Sequence, residues 1–166
     1  MYARVFYLYY LFILRNGKKW YLTKRNMFIG RYYHKLEEKG RISLPKSLRG
    51  TDQNWVITRG LDGGLFLFKA ESFEAEIEKL ALKTFTKKND RDFIRYMTND
   101  AYALDVDKNG RVLLPEYLIN FAKISKDVVI VGSYNKIEIW DMDKYHEYLD
   151  QMEQRSEEIA ESINED

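Results

Sequence analysis

The chain is predicted to be an α+β protein, mainly β, in which two pseudo-symmetric halves share one small barrel core and carry helices at the periphery. Three observations predict this. The phrase Lys39-Gly40-Arg41-Ile42-Ser43-Leu44-Pro45 recurs 70 positions later as Asn109-Gly110-Arg111-Val112-Leu113-Leu114-Pro115, and such a repeat marks a duplicated supersecondary unit. Around each copy, short strand patterns, turn residues and helical periodicity follow in the same order. Each half has roughly 60 residues, too few for a secure core of its own, so the halves are expected to share one.

In the first half, residues 28–36 read as a strand rich in aromatic side chains. Glu38-Lys39-Gly40 is a turn, Ile42-Ser43-Leu44 a short strand, and Pro45 opens a helical turn over 46–49. Residues 55–58 and 65–68 form a strand pair around Gly60-Leu61-Asp62-Gly63-Gly64, whose glycines permit a tight reversal. Ser72 is placed as the cap of a helix with Phe73, Ile77, Leu80 and Ala81 on its inner face. The second half repeats this order: a strand at 102–106, a turn at 108–110, a strand at 112–114, a helical turn from Pro115 to Ala122, and a strand pair at 128–131 and 137–140. A closing helix carries Tyr145, Tyr148, Leu149 and Met152. Between the halves an amphipathic helix is expected, with Phe93, Ile94 and Met97 inward. The resulting division is an extension at 1–26, a first repeat at 27–85, a connecting helix at 86–100, a second repeat at 101–152 and an acidic tail at 153–166. The tail holds six acids and one Arg and reads as a solvated helix end or disordered segment.

Composition limits the function classes. Hydrophobic residues make up 45% and charged residues 32% of the 166, as in globular proteins. There is no cysteine, which removes disulfides, Cys-ligated zinc and thiol nucleophiles together. The net charge of +1 hides an asymmetry: residues 27–166 carry 21 basic and 26 acidic side chains. A body of net charge −5 attracts nucleic acid only through a local basic patch. Near the start, Val5-Phe6-Tyr7-Leu8-Tyr9-Tyr10-Leu11-Phe12-Ile13-Leu14 lies between Arg4 and Arg15. It is too short for a membrane span and lacks the small-residue cleavage site of a signal peptide. Because Met27-Phe28-Ile29-Gly30 begins the first repeat, residues 1–26 are read as a mis-assigned start or a dispensable extension.

From Met27 to about residue 152 the chain resembles the MraZ family of bacterial regulators, tandem relatives of the AbrB/SpoVT swapped-hairpin DNA-binding domains. The resemblance rests on Met27-Phe28-Ile29-Gly30, Glu38-Lys39-Gly40-Arg41 with Pro45, Thr58-Arg59-Gly60-Leu61-Asp62-Gly63, Asp107 to Arg111 with Pro115, and Ile137-Glu138-Ile139-Trp140. It implies AbrB-like halves and a transcription factor that binds double-stranded DNA at direct repeats upstream of its own division and cell-wall gene cluster. It also implies a homo-oligomeric ring of eight or twelve subunits, a cytoplasmic, nucleoid-associated location, and neither cofactor nor membrane. The family signature is Asp-x-x-x-Arg in each half. The second copy is intact in Asp107 and Arg111, whereas the first has Glu37 before Arg41, one methylene longer.

On this reading Arg41 and Arg111 are the principal DNA contacts, since a guanidinium fork matches a guanine edge or grips a phosphate. Glu37 and Asp107 are motif partners that hold the forks in place, Lys35, Lys39 and Lys108 add phosphate attraction, and Gly40 and Gly110 let the backbone approach DNA. The first copy, with Lys46 and Arg49 nearby, is expected to supply most of that attraction. The alternative is that Glu37–Arg41 and Asp107–Arg111 are ion pairs within the fold, in a ring-forming structural or protein–protein module with no specific DNA target. Asp105-x-Asp107-x-Asn109-Gly110 with Glu116 also fits a calcium-loop spacing. There the preceding segment reads as a strand where a helix is needed, and Pro115 interrupts the loop. His34 and His146 lack metal spacing, and no fingerprint of an enzyme is present.

Overall fold

The computed structural model describes residues 27–83 and 87–163. The extension at 1–26, the junction at 84–86 and the last three residues of the acidic tail lie outside the described residues. The first half holds strands β1 (Arg31–Lys35), β2 (Arg41–Ser43), β3 (Asn54–Arg59) and β4 (Leu65–Lys69), with helix α1 (Lys46–Arg49) after β2 and helix α2 (Ala70–Lys83) after β4. Helix α3 (Lys88–Asn99) connects to the second half: β5 (Tyr102–Asp105), β6 (Arg111–Leu113), α4 (Glu116–Ala122), β7 (Asp127–Ser133), β8 (Lys136–Asp141), α5 (Met142–Gln154) and α6 (Ser156–Ser162). The expected duplication is therefore present in element order.

Six strands form one antiparallel sheet in the order β1-β7-β8-β4-β3-β5, and β2 pairs with β6 as a separate ribbon. The hairpins β3–β4 and β7–β8 meet at the middle, where Leu65, Phe66 and Leu67 face Ile139, Glu138 and Ile137. Each half gives its first strand to the other: Tyr33 of β1 lies opposite Val129 of β7, and Ala103 of β5 opposite Val56 of β3. The halves are thus interlocked through backbone ladders rather than laid side by side.

One buried cluster draws on both halves, including Ile42, Trp55, Ile57, Leu65 and Leu67 from the first and Val112, Leu118, Val128, Ile130 and Ile139 from the second. The shared core is as expected; the closed barrel is not. The sheet is open, with β1 and β5 as unpaired edges. Strands β2 and β6 have three residues each and spend their hydrogen-bonding groups on each other, so they do not bridge the gap between β1 and β5. Ile42 and Val112 are fully buried from this ribbon, and each such side chain contributes about 1.5–3 kcal/mol. That anchoring fixes which face of the ribbon remains outside.

Several local expectations change. β1 is shorter than residues 28–36 because Gly30 takes φ +99°. Before it, Phe28 rejoins the sheet by paired backbone bonds to Tyr134 of 2.7 and 3.0 Å. Ser72 does not cap α2; β4 runs directly into a helix that starts at Ala70. Helix α5 has a side-chain cap, the Asp141 carboxylate accepting from Asp143 N and Lys144 N. Ala81 is exposed, and Phe93 lies 37% exposed and stacked on Tyr96. Met97 takes the buried position and Tyr96 donates to Gly60 O at 2.8 Å, which turns α3 so that Phe93 sits at its rim. Met152 is exposed, and α6 is solvated along its length.

Candidate nucleic-acid interface

The repeated phrases become spatial neighbours. In the β2–β6 ribbon, Arg41 lies opposite Leu113, Ile42 opposite Val112, and Ser43 opposite Arg111. Since side chains alternate along a strand and residues 42 and 112 point into the core, Arg41, Ser43, Arg111 and Leu113 share the outer face. The two arginines are diagonal neighbours on it, with backbones about 7–8 Å apart. The turns before each strand match in backbone: Glu37 N donates to Arg41 O at 2.7 Å, and Asp107 N to Arg111 O at 2.8 Å. They are also cross-tied, Leu44 N donating to Gly110 O and Leu114 N to Gly40 O, each at 2.9 Å.

Gly40 and Gly110 both sit at φ +77°, a left-handed backbone that costs other residues about 1–2 kcal/mol. They also face the opposite half. A Cβ at Gly40 would lie 3.1 Å from Leu114 O and Ile119 Cδ1, and one at Gly110 would lie 2.7 Å from Arg49 Nε. Their geometry is thus required by the interlocked fold itself. Arg49, read from sequence as one more cation of the first half, lies over the second half's turn.

The side chains break the symmetry of the backbone. Asp107 accepts at Oδ1 from Asn109 N (2.8 Å) and Arg111 N (2.9 Å), and at Oδ2 from Arg111 Nε (2.9 Å). The Arg111 amide above all, with the Arg111 guanidinium and Asn109 amide, holds this carboxyl below its ordinary 3.8. Its oxygens are therefore engaged in a turn between two strands, and Glu116 begins α4 beyond Pro115, unlike the helix-flanked loop that calcium spacing would require. Arg111 is stabilised as a cation in return, chiefly by Asp107. Glu37 pairs with Arg111 and not with Arg41: Arg111 Nη1 lies 3.3 Å from Glu37 Oε2, and Ser43 Oγ donates to Glu37 Oε1 at 3.3 Å. The extra methylene of glutamate lets it reach across the ribbon to the arginine that Asp107 already orients. Among the described residues no ion pair or side-chain hydrogen bond holds the exposed Arg41 guanidinium.

Lys39 and Lys108 are exposed in the two turns, and Lys35 is exposed at the end of β1. Lys39 carries φ +61°, uncommon for a residue with a Cβ. His34 is partly buried, and that burial lowers its pKa from 6.5. His146 meets Tyr33 Oη at 3.1 Å through Nε2. The two histidines are thus in separate surroundings, and among the described residues no three acidic or histidine side chains cluster as metal ligands. Among the aromatic side chains of the sheet, Trp55 and Phe68 are buried and Tyr33 is exposed. Sequence reasoning overlooked Ser43 and Leu113. The signal was available: both stand one strand period from an arginine, with a core residue between.

Residues 27–96 and 97–164 each match a family model described as MraZ protein, antitoxin-like. Proteins named Transcriptional regulator MraZ are similar over most of the chain. Those of Pediococcus pentosaceus and Natranaerobius thermophilus are 39% identical over 138 residues, and that of Syntrophomonas wolfei is 38% identical. Each alignment covers 82% of this chain and 96% of the relative.

Proposed function

The chain belongs to the MraZ family, and from that premise we propose that it is a sequence-specific DNA-binding transcriptional regulator and not an enzyme. One observation carries the reading to particular residues: the β2–β6 ribbon sets both Gly-Arg phrases side by side on one outward face. A two-stranded ribbon is narrow enough to enter the major groove, and an arginine fork there matches a guanine edge. Arg41 and Arg111 are the proposed DNA-contacting cations beside the turns at Gly40 and Gly110, Arg111 being ordered by Asp107 and Glu37, while Lys35, Lys39 and Lys108 serve the phosphates.

The exchange of β1 and β5 between halves supports the finer assignment to AbrB-like swapped hairpins. A body of net negative charge with one small basic face binds DNA weakly alone. Assembly into a ring of eight or twelve copies raises the effective concentration of that face on neighbouring direct repeats. Those repeats are proposed to lie upstream of the chain's own division and cell-wall gene cluster, with the protein cytoplasmic and at the nucleoid. Among the described residues no helix is long and apolar enough to cross a membrane.

A gel shift with the DNA upstream of the chain's own gene, against a scrambled fragment at stated salt, tests the reading. Preferential retardation of the upstream fragment, lost in Arg41→Ala, is expected; equal binding of both fragments refutes it. The structural-module reading has one observation in its favour, the Arg111–Glu37 pair that ties the halves. It predicts that Arg111→Ala dismantles the assembly in size-exclusion chromatography.

A further inference from the structure

The two ends of the ribbon's outer face are chemically unequal although their backbones are equivalent. At one end Arg111, 29% exposed, is gripped by Asp107 and Glu37, one cation between two carboxylates. Its cross-strand partner is Ser43, whose hydroxyl is spent on Glu37. At the other end Arg41 is exposed and, among the described residues, uncommitted, and its cross-strand partner is Leu113, an apolar side chain left 52% exposed. Ser43 and Leu113 occupy the same place in the repeat.

Resting on the DNA-binding reading above, we propose that the ribbon reads DNA with a polarity: the Arg41–Leu113 end contacts base edges, and the Arg111–Ser43 end is neutralised and contributes no base discrimination. A guanidinium can offer a guanine its bidentate fork only with adjacent N–H groups free. Asp107 on Nε closes the Nε–Nη2 fork of Arg111, Glu37 at 3.3 Å from Nη1 competes for its end-on fork, and the cluster carries a net charge of −1, which repels both phosphate oxygens and the acceptor edge of guanine. Arg41 keeps its whole fork. A free arginine beside an exposed leucine complements a guanine next to a thymine methyl group, the apolar feature of the major groove. A pseudo-two-fold ribbon with equal ends would suit an inverted repeat; one with unequal ends suits a directional element, and so direct repeats.

The test uses the full chain, its upstream fragment, a scrambled fragment, and upstream fragments in which single thymines are replaced by uracil, which lacks the methyl. Arg41→Ala should lower the upstream-to-scrambled affinity ratio by about 5- to 150-fold. Arg111→Ala should weaken both fragments by a similar factor and leave the ratio unchanged. Leu113→Ala should cost about fourfold on the upstream fragment, and one uracil position should reproduce that loss in the wild type without adding to it in the variant. Arg111→Lys and the unfolding midpoint of each variant separate lost contacts from lost structure. The polarity is overturned if folded Arg111→Ala or Arg111→Lys lowers the ratio as far as Arg41→Ala, or if no uracil position mimics Leu113→Ala. A wild-type protein with no preference for its upstream fragment overturns the DNA reading itself, a different outcome.

Discussion

Replacing Asp141 with alanine should destabilise the protein far more than a typical surface change. This residue ends β8, caps α5 and is 6% exposed. Oδ1 accepts from Asp143 N at 3.2 Å and Lys144 N at 3.5 Å, while Oδ2 accepts from Ser125 N at 3.0 Å and Ser125 Oγ at 2.9 Å. Losing a helix cap costs about 1 kcal/mol, and a part-buried amide left without its charged acceptor costs about 1–3 kcal/mol. The sum is about 2–4 kcal/mol, or a fall of about 4–16 °C in Tm for a domain of this size. Thermal unfolding followed by circular dichroism should compare Asp141→Ala, Ser125→Ala and the double variant, with a coupling of about 1 kcal/mol or more between them. Burial works against the charged carboxyl, but the bonds from Ser125, Lys144 and Asp143 outweigh it and lower its pKa below 3.8. A depressed carboxyl stabilises the fold above its unfolded pKa and loses that contribution as pH falls through the folded value. The gap between wild type and Asp141→Asn should therefore be full above about pH 5 and narrow in more acidic solution. A loss under about 0.5 kcal/mol, or additive effects of the two substitutions, would refute the linkage of cap and Ser125 loop.

Three further outcomes are expected. Leu118→Ala removes a fully buried side chain of α4 and should cost about 2–5 kcal/mol in chemical denaturation. Lys39→Gly relieves a left-handed backbone at φ +61° and should stabilise the fold by up to about 1 kcal/mol, while weakening binding to any DNA fragment. Asp107 is held below 3.8, so its grip on Arg111 is intact above that ordinary value and released as pH falls through the lower folded one. An NMR titration of its carboxyl carbon should show the depressed midpoint, and Arg111→Ala should move it upward.

The hairpins β3–β4 and β7–β8 and the helical turns after Pro45 and Pro115 were legible because their hydrogen bonds close over short stretches of chain. Turn residues and alternating apolar positions encode such contacts locally. The partners of β1, β5 and the ribbon strands were not legible, since each pairs across the two halves and several apolar strands offered equivalent partners. The cap expected at Ser72 illustrates the limit: propensity favours serine at a helix start, but a strand running into α2 moved that start to Ala70, and the cap with the hydrogen bonds is Asp141.

Sequence by itself determined that the chain is duplicated, that Arg41 and Arg111 hold equivalent places in the duplication, and that their preceding acids differ by one methylene. Only the tertiary structure decided what the methylene does. Once the ribbon places the two turns on one face, Glu37 lies within reach of the arginine that Asp107 already holds, so two carboxylates converge on Arg111 and, among the described residues, none on Arg41. The physical reason is that residue identity and chain spacing are properties of one dimension. The choice of ion-pair partner depends on distances that exist only after strands from both halves have met.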